Sequence, residues 1–339
     1  MSTTPRTTTT TAATAPAAAA SGPRSGTPPR IRWHRPLMAL AVASALVSVA
    51  AVVGLIVDPR ELVGAPIWAK ALKFGLSILI YAVTWAWLIG QLQRFRRIAW
   101  WAGTVIAVTL IVELAIITLQ IVRGHRSHFN NTNPFDETLW SIMGTAIMVL
   151  WLATLVAAVV LWFTPGRDRA RTLAVRAGSL LSLVGLGLGF LMTLPTAAQL
   201  AEYDGIVGAH TVGSADGGPG LPILGWSTEH GDLRIPHFVG MHALQLIPIA
   251  LILIELASGR VVAFRSLRTR VGLVWTTTVV YAAVVALVTW QALRGQSIVA
   301  PDAVTLTAGA AILVAGLAGV VASIAAGRRE LAGASARPE

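Results

Sequence analysis

The 339-residue chain is 55% apolar and only 12% charged, roughly half the charged share of an ordinary soluble domain, which argues against a water-soluble globule. It has no cysteine, so disulfides, thiolate metal sites and cysteine-ligated iron–sulfur clusters are excluded, and any metal would rest on His, Asp or Glu. The formal charge of +11 comes from 26 basic against 15 acidic residues. The basic residues lie in short segments between long apolar runs, so the charge is explained without nucleic acid as a partner.

Residues 1–35 are Thr, Ala, Pro, Ser, Gly and Arg with almost no bulky apolar side chain, a composition that predicts a disordered tail. Eight apolar runs follow, near 36–57, 71–92, 100–122, 138–163, 177–198, 236–256, 271–293 and 303–326. Each is long enough to cross a hydrocarbon core of about 30 Å, and none alternates like a barrel strand. The expected fold is therefore an all-α, polytopic membrane bundle of eight transmembrane helices in a lipid bilayer. The first run is far from the start and long enough to span, so it reads as an anchor rather than a cleaved leader. Arginines crowd the tail and the segments at 94–97, 167–176 and 260–270, which places both termini in the cytoplasm of a multi-pass plasma-membrane protein by the positive-inside rule. The preference for Arg over Lys and the abundance of Ala, Gly and Val point to GC-rich coding and a bacterial inner membrane.

The third run ends Thr118-Leu119-Gln120-Ile121-Val122-Arg123-Gly124, and the seventh ends Thr289-Trp290-Gln291-Ala292-Leu293-Arg294-Gly295. The shared T-x-Q-x-x-R-G, with a proline–acid stretch after each, predicts a parallel four-plus-four duplication, 36–163 matching 177–326, with a final tail at 327–339. A ligand site is then expected between the halves. The 199–235 loop becomes an insertion in the second half. Its eight glycines between 205 and 231, with Pro219 and Pro222, predict an ordered outer lid built of turns.

Six of the seven histidines and ten of the fifteen acids fall on the outer side of this topology. Polar residues inside the spans are functional candidates because burying them is costly. On the second span, Lys70, Lys73, Ser77, Tyr81, Thr84 and Gln91 share a helical stripe; on the third, Thr109, Glu113 and Gln120 do; on the sixth, His237, His242 and Gln245 fall in one arc. Lys70 and Lys73 are the chain's two lysines, and an ammonium, unlike a guanidinium, can give up its proton when buried.

The leading expectation is a permease-like or receptor-like protein binding a small polar or anionic solute, or a metal ion, in an outward-facing cavity. Lys70, Lys73, Arg123 and Arg294 would supply positive charge, and Gln120, Gln291 and Gln245 hydrogen bonds. Glu113 would carry any proton coupling with His242, and Lys73 is a candidate partner for Glu113. One alternative is a membrane-embedded oxidoreductase or hydrolase using a divalent metal or haem on His128, His237 and His242, with Glu113 as acid or base; another is a structural or assembly subunit with no site of its own. Phosphate-loop, dinucleotide and nucleophile-elbow motifs are missing from the sequence.

Overall fold

The computed structural model describes residues 32–164, 166 and 168–335, so nearly all of the expected N-terminal tail lies outside the described residues. The architecture is all-helical. In chain order the helices are α1 (Arg35–Val57), α2 (Ala69–Gln91), α3 (Arg96–Arg123), α4 (Pro134–Phe163), α5 (Arg169–Leu188), α6 (Ala197–Ala201), α7 (Arg234–Met241), α8 (Ala243–Ala257), α9 (Leu267–Leu293) and α10 (Ala303–Ser335). Four two-residue strands form two antiparallel ribbons: β1 (Glu61–Leu62) with β2 (Ala65–Pro66), and β3 (Thr211–Val212) with β4 (Gly231–Asp232).

Helix starts are set by side-chain caps. His34 Nδ1 accepts from Leu37 N ahead of α1, Asn133 accepts from Phe135 N and Asp136 N ahead of α4, and Asp168 and Ser266 do the same for α5 and α9. The turn after α3 closes on Gly124 and the turn after α9 on Gly295, both with positive φ, the backbone state that glycine adopts without a Cβ clash.

Among the described residues, seven helices are long and apolar enough to cross a membrane. The expected sixth span is instead a pair: α7 and α8 meet at His242 with a bend of 47°. Close packing against α5 accompanies the break. A Cβ on Gly185 of α5 would come within 2.1 Å of the Gly240 carbonyl carbon and the Met241 nitrogen, so two backbones touch there with nothing between them. Oxygens around the bend are satisfied from neighbouring helices: Ser182 Oγ donates to Met241 O at 2.8 Å and Tyr281 OH to Val239 O at 2.5 Å. Since the apolar run continues through the bend, its hydropathy carries no trace of it.

The helices pack as two groups. α1, α2, α3 and α4 contact one another in the pairs α1–α2, α2–α3, α1–α3 and α3–α4; α5, α7–α8, α9 and α10 contact in the pairs α5–α8, α8–α9, α5–α9 and α9–α10. The groups meet where α4 lies on α5 and α2 touches α8. Leu37, Leu40, Trp85 and Ile106 are fully buried in the first group, whereas Leu46, Ile56, Val122, Phe163, Leu256 and Val321 point outward. Such an apolar outer surface suits helices surrounded by lipid.

One end of the bundle holds ion pairs among the short connections, Arg171 with Glu255 and Arg270 with Asp168 and Glu255. The opposite end carries the 199–235 segment. There Asn130 bridges Ile206, β3 pairs with β4, and Gly64 of the β1–β2 turn abuts Gly217.

Candidate functional site: a lidded cationic cavity

A cavity of about 420 Å³ lies under the 199–235 segment. Its walls are the first turns of α2 (Lys70, Lys73, Phe74), the loop after α3 (His125–His128), the lid (His210, Asp216, Leu224, Trp226) and the start of α7 (Arg234, Phe238). The α2 stripe read from the sequence is what brings the lysines to it.

Lys70 Nζ lies 3.1 Å from His128 Nδ1, with the Phe74 ring centroid at 5.9 Å. An ammonium has three N–H donors, and His128 is the hydrogen-bond partner described for this one. Lys73 Nζ donates to the lid carbonyl of Leu224 at 2.8 Å. Arg234 is fixed by Asp232, at 2.6–3.2 Å, and donates to Gly225 O at 2.5 Å. Two cations from different helices thus hold consecutive carbonyls of one lid turn.

His128 is packed edge-on against Phe74 and Phe129 and tilted against Trp140. Burial among these rings, reinforced by the Lys70 charge, lowers its pKa well below the ordinary histidine value. Burial pushes the Asp216 carboxyl up, but hydrogen bonding and charge from His210, with the Thr211 backbone N–H, more than offset this and hold it below the usual carboxylate range. Its Oδ2 is 2.6 Å from His210 Nδ1. Asp216 is consequently an anion engaged within the lid, which leaves the α2 lysines facing the cavity from the other side.

A second polar line descends beside the cavity where α2 meets the α7–α8 bend. Ser77 Oγ is 3.3 Å from His242 Nε2, His242 Nδ1 is 3.3 Å from Gln245 Oε1, and Gln245 Nε2 donates to Thr84 Oγ1 at 3.3 Å. His237 turns to α5, with Nδ1 2.8 Å from Gly185 O. Among the described residues no group of three or more His, Asp or Glu side chains is placed to hold a metal ion, and His128, His237 and His242 have different hydrogen-bond partners.

Four residues expected to bind solute have partners within the turns. Gln120 donates to Arg126 O at 3.1 Å and Gln291 to Ser297 O at 2.8 Å, each reaching a carbonyl six residues on. Arg123 pairs with Asp136, and Arg294 with Asp302 at 2.7 Å. Asp136 is fully buried and also takes Gln120, His125, Asn130 and Asn133. Glu113 is 1% exposed on α3, and neither carboxylate oxygen has a hydrogen-bond partner.

Compared with protein-family models, curated proteins and solved structures, the chain matches none. The residues around the cavity are therefore the ground for a functional reading. Arg234, Asp216 and Trp226 were not singled out as site residues by the sequence reading. Arg234 had a visible signal, being the one basic residue between 199 and 235.

Proposed function

We propose that this chain is a multi-pass membrane protein that binds a small anionic solute, a carboxylate or phosphate, in the lidded cavity and passes it along the α2–α8 contact. The observation that carries this reading is the Lys70 ammonium, set against an aromatic wall with a single side-chain partner and with Lys73 and Arg234 nearby. A buried cation short of acceptors is costly; an anion in the cavity supplies them. The aromatic walls exclude water and strengthen that attraction.

Support for transport comes from the bent α7–α8 pair. Discontinuous helices at the junction of two packed halves recur in transporters, where freed backbone groups and flanking side chains line the path. Matching turns after α3 and α9, and the matching order of helix contacts in the two groups, support a parallel duplication whose first half supplies the lysines. In this reading the arginine-rich end is cytoplasmic and the lid faces outward.

The reading is tested by thermal unfolding of the detergent-solubilised protein with millimolar acetate, succinate, inorganic phosphate and, as a cationic control, choline. At least one anion should raise the Tm, choline should not, and Lys70→Met should abolish the rise. Equal Tm values across the panel would overturn it.

A further inference from the structure

We propose that the lid residue His210, steadied by Asp216, presents an accepting ring nitrogen to the cavity, and that the solute is a hydroxycarboxylate, with its carboxylate toward the α2 lysines and its hydroxyl donating to His210. The inference rests on the anion reading of the cavity and narrows it to one chemical class.

His210 and Asp216 both line the cavity. His210 N and Thr211 N donate to Asp216 Oδ1, each at 3.0 Å, and His210 Nδ1 lies 2.6 Å from Asp216 Oδ2. The His210 carbonyl accepts from Leu233 N at 2.9 Å beside the β3–β4 ribbon, and the ring packs on Phe129 with centroids 4.9 Å apart. Phe129 in turn meets His128, the partner of Lys70, so one run of contacts joins this imidazole to the cationic wall.

The donor–acceptor pattern of the ring follows from Asp216. A carboxylate only accepts, so at 2.6 Å it is Nδ1 that carries the hydrogen. Burial lowers the His210 pKa in spite of the Asp216 charge, which leaves the ring neutral at neutral pH. A neutral imidazole with its hydrogen on Nδ1 has a lone pair on Nε2. That nitrogen has no hydrogen-bond partner among the described residues. His230 also lines the cavity, but no described hydrogen bond fixes its ring, so it imposes no such pattern. Lys70, Lys73 and Arg234 offer donors only. A ligand that satisfies both walls brings acceptors for the cations and one O–H for Nε2, and an ionised plain carboxylate lacks the second.

Titration calorimetry on the detergent-solubilised protein at neutral pH tests this with two matched pairs, acetate against glycolate and succinate against malate. In the wild type the hydroxylated member of at least one pair should bind about fivefold more tightly, the scale of one hydrogen bond. His210→Phe keeps a ring against Phe129 and removes the acceptor, so it should bring the two Kd values together by weakening the hydroxylated member; His210→Leu serves if that variant does not fold. Equal Kd values within both pairs in the wild type, or a preference that survives loss of the imidazole, would overturn the inference while leaving anion binding in place. If none of the four acids binds, the inference falls, and the anion reading falls with it only if inorganic phosphate also fails to bind.

Discussion

Lys70 Nζ and His128 Nδ1, 3.1 Å apart, join the first turn of α2 to the loop that follows α3. Burial holds His128 as a neutral ring, which can accept from the Lys70 amine at this distance. That fixes a sign for the pH dependence of stability. The folded pKa of His128 lies well below its unfolded value, by burial first and the Lys70 charge second. Between the two values the unfolded chain binds the extra proton, so stability is full above about pH 6.5 and is lost as the pH falls. The Tm should decline from pH 7.5 to 5.5, and His128→Gln should flatten that decline; a wild-type Tm constant over this range would contradict the assignment.

The matched turns after α3 and α9 should differ in energetic weight. Asp136 is fully buried and binds Arg123 and several further donors, so Asp136→Ala leaves those groups unpaired and should cost on the order of 3 kcal/mol. Arg294 and Asp302 are both more than a third exposed, so Arg294→Ala should cost less than about 1 kcal/mol. Denaturant unfolding of the two variants side by side measures the contrast.

The bend at His242 should depend on glycine at 185. Gly185→Val has to displace the backbone at Gly240 and Met241, with a cost of at least about 1–3 kcal/mol from overpacking, and it should disturb the Ser77–His242 contact. Gly144→Ala, on α4 with no atom within 4 Å of the added Cβ, should leave the Tm unchanged or slightly raised.

How much of this was legible in the sequence varies with the physics involved. Apolar length and the positions of arginine delimited the helices, because crossing a bilayer is a requirement on composition. The lysine stripe was legible because helical period maps directly onto a face. The α7–α8 bend was not: residues 236–256 read as one apolar run, and the break accompanies a backbone contact of Gly240 with Gly185, 55 residues earlier. The roles of Gln120, Arg123, Gln291 and Arg294 were also hidden. Polar residues at a helix end serve a turn or a ligand equally well, and only the positions of Arg126, Asp136, Ser297 and Asp302 distinguish the two. The cavity itself needed the lid, whose path over α2 is set by single bonds such as Lys73 to Leu224 O.

Lys70 and Lys73 are the chain's two lysines, so a protein labelled with ¹³C and ¹⁵N in lysine alone gives two side-chain signals by NMR, assigned with Lys73→Arg. Titration with acetate, succinate and inorganic phosphate should shift the Lys70 signal saturably with at least one of them, and choline should leave it in place. A Lys70 signal unmoved by every anion, in protein that remains folded, would contradict a cavity built to hold negative charge.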